Sequence, residues 1–128
     1  VAGKTVYRAV AAGQHVGWVI PAVGQGFADK IELLLGVDAG VSRITGVYIL
    51  DQKETPGLGN KIIEAGWRQQ FIGKPALTAL QAITGGGAKG SQIDALTGAT
   101  ISSESVCTIV NTTLVKMRAD LLAAGAGE

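Results

Sequence analysis

A hydroxyl-rich segment precedes the longest helical pattern of the chain. It reads Asp94-Ala-Leu-Thr-Gly-Ala-Thr-Ile-Ser-Ser103. Gly98 and Ala99 carry little side-chain bulk, so the hydroxyl of Thr100 can stand exposed next to them. The N-terminus of a helix presents unpaired backbone N–H groups and the positive end of the helix dipole, and both favour a bound phosphate. This segment is therefore suited to a phosphoester on Thr100.

A second motif, Glu54-Thr-Pro-Gly-Leu-Gly59, comes directly after the last predicted strand. Pro56 fixes its own φ and Gly57 supports a positive φ, which together predict a type II turn. Such a turn presents Leu58 to solvent. An exposed apolar side chain beside Thr55 and backbone amides suits a flat heterocycle with a polar edge, such as the isoalloxazine ring of a flavin.

Neither motif is specific when it stands alone. A Thr-Gly-Ala-Thr sequence before a helix is usually an ordinary loop and cap, and Pro-Gly-Leu-Gly is usually an ordinary turn. Their joint occurrence, with a sheet before and a helix after, favours the functional interpretation. We therefore predict that the two motifs meet in space.

The elements that must position these motifs divide the chain into two halves. In the first half, β-branched and aromatic residues between turn signals predict four strands. They pair as two hairpins, which gives an antiparallel sheet. Between the hairpins, Ala22–Ala28 contains two glycines that allow the backbone to approach a neighbour or a ligand closely. The predicted strands are Lys4–Ala11, Gln14–Pro21, Lys30–Asp38 and Ser42–Leu50, with turns at Ala12-Gly13 and Asp38-Ala-Gly40.

The second half has a helical period. Short helices are predicted at Lys61–Gln70 and Ala76–Ile83, with a flexible turn at Gly85–Gly90. Ser102 is the predicted N-cap of a long C-terminal helix. Its apolar residues share one face that packs on the sheet, namely Val106, Ile109, Val110, Leu114, Met117 and Leu121. Sheet first and helices after predict an α+β fold of hairpins packed against helices.

Composition narrows the functional class. The 128 residues fit one domain over residues 1–128, and eleven scattered basic residues against ten acidic ones make nucleic acid a poor partner. The single cysteine, Cys107, excludes an internal disulfide and a cysteine-based metal cluster. No acid–base or nucleophilic constellation is visible, and no apolar run is long enough to cross a bilayer.

The remaining reactive or aromatic side chains have ordinary interpretations. His15 is predicted to be an exposed turn residue, and Cys107, Trp18 and Trp67 are predicted to pack in the interior or at its edge. Lys89 lies in a glycine-rich turn, where an exposed lysine is the default and an approach to the phosphate is the alternative.

The two motifs carry a family resemblance. The chain resembles the FMN-binding domain family found in the G subunit of Rnf electron transport complexes and in the C subunit of sodium-translocating NADH:quinone reductase. The resemblance runs from Val16-Gly-Trp-Val-Ile20 and Gly24-Gln-Gly26, through Glu54–Gly59, to Asp94–Val106. The Rnf-type subunit is the more similar one at Asp51–Gly59 and Leu96–Ser103.

The resemblance implies roles for individual residues. A flavin transferase moves FMN from FAD onto the last Thr of an Asp-x-x-Ser/Thr-Gly-Ala-Thr pattern, which is Thr100 here. The same implication makes Asp94, Thr97, Gly98 and Ala99 the recognition sequence, lets Ser103 support the phosphate, and places Glu54, Thr55, Leu58 and Gly59 at the border of the ring.

The resemblance also implies a cellular setting. By this implication, the chain is an electron carrier at the extracytoplasmic (periplasmic) face of a membrane. It belongs to a redox-driven ion-translocating complex, and the other subunits of that complex are its partners. Family members usually have an N-terminal membrane-spanning helix, and this sequence has none, so the anchor is expected upstream. A flavin-binding sensor module of a membrane regulator and the flavin-carrying domain of an extracellular reductase remain as alternatives.

Overall fold

An antiparallel sheet forms the first half of the structure, a computed structural model that describes residues 3–125. Its four strands lie in the order β1-β2-β3-β4, so each strand pairs with its neighbour in sequence. Both predicted hairpins are confirmed, although the first strand begins three residues later than predicted. The strands are Tyr7–Ala11 (β1), Gln14–Gln25 (β2), Lys30–Asp38 (β3) and Ile44–Asp51 (β4).

Strand β2 continues past its predicted end at Pro21 and reaches Gln25. The register explains why the proline does not end the strand. The pairing of β1 with β2 stops at Tyr7 and Val19, whereas Pro21 pairs with Leu34 of β3. Proline has no backbone N–H to donate to a neighbouring strand. It is tolerated where a strand has a partner on one side only, because fewer hydrogen bonds between strands are then needed. The predicted Gly24-Gln-Gly26 loop is therefore partly strand.

The long helix α2, Thr100–Gly125, packs on this sheet. All six residues of its predicted apolar face are buried, as are the inward residues of β3 at Ile31, Leu33, Leu35 and Val37. A Cβ on Gly24 would lie 2.5 Å from Cγ1 of Ile109, so the glycine permits the close approach of helix and strand. The predicted α+β fold is confirmed. Within residues 3–125, no helix is both long and apolar enough to span a membrane.

The helix predicted over Lys61–Gln70 is interrupted. A 3-10 helix at Gly59–Ile63 is followed by the four-residue helix α1, Ala65–Arg68, and by a second 3-10 turn at Gln69–Phe71. Glu64 separates the first two because its backbone is extended, with φ −71° and ψ 131°. Short helical pieces thus replace the single predicted helix.

The helix predicted over Ala76–Ile83 is wrong. The chain forms a short strand β5, Gln81–Ile83, parallel to β6, Gln92–Asp94. Ahead of β5, the side-chain amide of Asn111 on α2 accepts a hydrogen bond from the Leu80 N–H (2.8 Å) and donates one to the Leu80 carbonyl (2.9 Å). These tertiary bonds hold the segment extended against its helical composition. The turn predicted at Gly85–Gly90 is present between the two strands.

Candidate functional site

The predicted type II turn after β4 is confirmed. The Leu58 N–H donates to the Thr55 carbonyl at 3.0 Å, and Gly57 has φ +77°. The side chain of Asn60 braces the turn, because its Oδ1 accepts from the Gly57 N–H at 2.9 Å. Leu58 is 43% exposed, as the sequence predicted.

The second motif connects β6 to α2. Asp94 ends β6, where its carbonyl accepts from Trp67 Nε1 (2.8 Å) and its N–H donates to Gln70 Oε1 (2.7 Å). Gly98 has φ +74°, and the Ala99 N–H closes a turn on the Leu96 carbonyl at 3.0 Å. The motif therefore leaves a fixed strand and turns sharply into the helix.

Helix α2 begins at Thr100, two residues before the predicted N-cap. Ser102 lies inside the first helical turn, where its side chain is buried and donates to Glu54 Oε1 at 2.7 Å. The predicted capping role of Ser102 is therefore wrong. Thr100 itself is half-buried at the helix start. This position brings it nearer to the positive end of the helix dipole than the sequence predicted.

The two motifs share one cavity of about 440 Å³. Its size lies in the range of roughly 300–1,000 Å³ that is typical of small-molecule sites. The motifs also approach each other directly, because a Cβ on Gly98 would lie 3.1 Å from Cδ2 of Leu58. The predicted meeting of the motifs is confirmed. The residues that line the cavity are Phe27, Thr55, Leu58, Gly59, Gly98, Ala99, Thr100, Ile101 and Ser102.

Glu54 lies beneath this cavity and does not line it. Its carboxylate is buried and accepts hydrogen bonds from the Phe27 N–H (2.7 Å), the Ala28 N–H (2.9 Å) and the Ser102 hydroxyl (2.7 Å). Burial raises the pKa of the Glu54 carboxyl, but the hydrogen bonds from Ala28, Ser102 and Phe27 outweigh burial, so that its pKa lies below the ordinary value. Glu54 thus joins the turn, the β2–β3 loop and the start of α2.

Three other predicted residues lie outside the cavity lining. The buried Ser103 hydroxyl accepts from the Leu96 N–H and donates to the Ala99 carbonyl, both at 2.9 Å, so it holds the loop ahead of α2. Asp94 Oδ1 accepts from the Ala88 N–H at 3.0 Å. Thr97 is exposed at the tip of the loop.

Sequence reasoning missed two residues of the cavity wall, Phe27 and Ile101. Both are large, apolar and exposed, at 59% and 54%. The sequence signal for Phe27 is the preceding Gly26, because a glycine there predicts a close approach of the backbone to a neighbour or a ligand. A Cβ on Gly26 would lie 2.8 Å from Glu54 Oε1, so the glycine allows this loop to sit against the carboxylate.

The residues present fit an FMN molecule. Leu58, Phe27 and Ile101 leave exposed apolar surface around the cavity that a flat ring system can cover. The helix start at Thr100 offers N–H groups and a positive dipole end to a phosphate. Among residues 3–125, no group of His, Cys, Asp and Glu is arranged to hold a metal ion.

The other residues that the sequence singled out lie away from the cavity. Trp18 and Trp67 are buried, as predicted, and Cys107 is buried too. Burial, and next the charge of Glu104, raise the pKa of the Cys107 thiol to about 12. His15 is half-buried against the Trp18 ring rather than exposed, because it lies in β2 and not in the turn.

Lys89 is exposed, and its backbone N–H donates to Gln92 Oε1 at 3.2 Å. It borders a separate surface depression with Gln81 and Gln92 and does not line the cavity at Thr100. The default interpretation of an exposed lysine therefore holds in this structure.

Comparison with known proteins places these features in a family. The FMN-binding domain family matches residues 26–115. The G subunit of the Na(+)-translocating ferredoxin:NAD(+) oxidoreductase complex from Acetobacterium woodii is 39% identical over 109 residues, which cover 83% of this chain and 51% of that protein. The C subunit of the Na(+)-translocating NADH-quinone reductase from Vibrio anguillarum is 32% identical over 95 residues, or 69% of this chain and 37% of that protein.

A solved structure shares the fold. The crystal structure of NqrC from Shewanella oneidensis superposes with a TM-score of 0.86 at 23% identity, covering 96% of this chain and 61% of that one. The chain spans about half the length of the curated relatives it matches. With the family match and the cavity that joins both motifs, the chain belongs to the FMN-binding domain family, and its cofactor is FMN.

Proposed function

We propose that this chain is an electron-transfer domain that carries FMN through a phosphoester on Thr100. One observation carries the proposal. Thr100 is the first residue of α2 and lines the same cavity as the Leu58 turn. A phosphate on its hydroxyl meets the helix N-terminus, while an attached ring can reach the apolar wall.

Attachment needs an enzyme that can reach the loop. Thr97 and Gly98 are exposed beside Thr100, and Asp94 fixes the strand end from which the loop departs. In this proposal, a flavin transferase recognises Asp94, Thr97, Gly98 and Ala99. The Thr100 hydroxyl oxygen forms a bond to the FMN phosphorus of FAD, the pyrophosphate bond breaks, AMP leaves and the hydroxyl proton is lost.

The other site residues hold the flavin in place. Ser103 fixes the loop that presents the phosphate, through its bonds to Leu96 and Ala99. Thr55, Leu58 and Gly59 border the ring, and Glu54 supports that border from beneath. When bound, FMN supplies the capacity to accept and pass on electrons, while the protein sets its orientation and its access to water.

We infer the cellular setting of this electron transfer from the relatives. Their names describe subunits of ion-translocating oxidoreductase complexes, including the G subunit from Methanosarcina acetivorans, which is 37% identical over 101 residues. We extend this to the present chain. Residues 1–128 are then one FMN-binding domain of an Rnf-type membrane complex, held at the periplasmic face by an upstream helix, with the other subunits and the flavin transferase as partners.

The intact mass of protein produced with and without a flavin transferase tests the proposal. We expect the mass of one FMN phosphoester to be added only when the transferase is present, and peptide mapping to locate it on Thr100. Thr100→Ala should abolish the addition. Thr108→Ala, which removes an exposed hydroxyl further along α2, should leave it unchanged. An FMN mass on another residue, or none with the transferase, contradicts the proposal.

A further inference from the structure

Three large apolar side chains remain exposed around one cavity. Phe27, Leu58 and Ile101 are 59%, 43% and 54% exposed, and all three line the cavity beside Thr100. Apolar surface that converges on a concave site favours a ligand that covers it. Of the three, Phe27 alone comes from the β2–β3 loop, on which neither motif lies.

Hydrogen bonds to a buried carboxylate hold the loop that carries Phe27. Its backbone turns tightly, with the Gly26 N–H donating to the Asp29 carbonyl at 2.8 Å. The next two N–H groups, of Phe27 and Ala28, both donate to the Glu54 carboxylate. With its backbone tied down on the buried side, Phe27 leaves its ring on the cavity side.

We propose that Phe27 contacts the flavin ring, and that Glu54 is the positioning residue that holds Phe27 at the ring. The inference rests on the proposed function, because it takes the ring to be the ligand of this cavity. Glu54 also accepts from Ser102 in the first turn of α2. One carboxylate therefore fixes the distance between the loop that carries Phe27 and the helix that carries Thr100.

The two backbone N–H donors require an acceptor at each oxygen of the side chain, because Phe27 donates to Glu54 Oε1 and Ala28 donates to Oε2. Two N–H groups and one hydroxyl point at Glu54, and an ionised carboxylate has acceptor sites for all three. A glutamine offers one acceptor oxygen, and its NH₂ would face a donor. Glu54→Gln therefore keeps the size of the side chain while it breaks part of this arrangement. Buried donors left without an acceptor weaken the loop.

The positioning role is tested in protein without FMN, by amide hydrogen exchange measured with NMR. In Glu54→Gln, the Phe27 and Ala28 amides should exchange at least about ten-fold faster than in wild type. Asp38→Asn is the matched control, and it should leave the exchange of the Phe27 and Ala28 amides unchanged. Asp38 also accepts from two N–H groups and a serine hydroxyl, those of Ser42 and Arg43, in the β3–β4 turn. Unchanged Phe27 and Ala28 exchange in folded Glu54→Gln contradicts the positioning role.

The ring contact is tested in flavin-loaded protein. Phe27→Ala removes only an exposed side chain and should fold even if Glu54→Gln does not. We expect it to shift the flavin absorption maximum and to raise the iodide quenching constant of flavin fluorescence, because water and iodide then reach the ring. Glu54→Gln should change both in the same direction. Tyr7→Ala, which removes a similarly exposed aromatic ring from β1 outside the cavity, should change neither.

Intact mass recorded on the same samples separates the two proposals. Attached FMN whose spectrum and quenching are unaffected by Phe27→Ala contradicts the ring contact and leaves the proposed function standing. Wild-type protein that acquires no FMN from the transferase contradicts the proposed function and, with it, the contact. In either case, the hydrogen-exchange result shows whether Glu54 positions the loop that carries Phe27.

Discussion

Gly59→Ala should destabilise the protein because the added methyl has no room. A Cβ at this position would lie 2.4 Å from Ser102 Oγ and 2.9 Å from Glu54 Cβ, and both side chains are buried. Either Ser102 gives up its hydrogen bond to a buried charge, at about 1.5–3 kcal/mol, or the backbone shifts, at about 1–3 kcal/mol. We therefore expect a loss of about 1–3 kcal/mol in the free energy of unfolding.

Urea unfolding followed by tryptophan fluorescence measures this loss, since Trp18 and Trp67 are both buried. Gly66→Ala is the control. Gly66 lies in α1, and a Cβ there meets nothing within 4 Å. Alanine should stabilise that helix by about 0.5–1 kcal/mol. If Gly59→Ala unfolds within about 0.5 kcal/mol of wild type, the packing argument at the base of the cavity is wrong.

Four further measurements test other parts of the structure. Thr100→Ala, in protein without FMN, should change the free energy of urea unfolding by less than about 1 kcal/mol, and a larger loss would make Thr100 a structural residue. Leu58→Ala should shift the flavin absorption maximum or reduction potential without changing the attached mass, whereas an unchanged spectrum and potential would leave the turn as scaffold. Because the pKa of Glu54 lies below its ordinary 4.5 in the folded state, its stabilising effect is present above that value and lost as pH falls through the folded pKa. The stability difference between wild type and Glu54→Gln should therefore shrink on acidification below about pH 5 in urea titrations, and a constant difference would contradict the hydrogen-bonded carboxylate. Cys107, with a pKa of about 12, should resist a thiol reagent at pH 8 until urea unfolds the chain, and rapid labelling of native protein would contradict its burial.

Local signals allowed much of the site to be predicted from the sequence. Pro56 and Gly57 determine a turn by their own backbone preferences, so the exposure of Leu58 could be predicted without tertiary information. The spacing of apolar residues after Ser102 likewise determined the buried face of α2. The meeting of the two motifs required a further step, since some forty residues separate Leu58 from Thr100.

The errors arose where tertiary contacts override local preference. Ala76–Ile83 has a helical composition, but the Asn111 amide holds the backbone of Leu80, and β6 pairs with the three residues after it. Ser102 is a good N-cap by residue type, yet its hydroxyl is bound to Glu54. The role of Glu54 was equally hidden, because its partners lie 26 to 48 residues away in sequence.

These long separations also bear on the order in which the domain folds. The carboxylate of Glu54 collects donors from the β2–β3 loop, which precedes it, and from α2, the last element of the described chain. Contacts of high sequence separation close late, because the loop entropy of the intervening chain is lost before they form. We therefore expect the cavity to assemble only after the sheet and α2 have docked. A complete border for the flavin ring therefore exists only on the folded domain, because Phe27, Leu58 and Ile101 come from three separate parts of the chain.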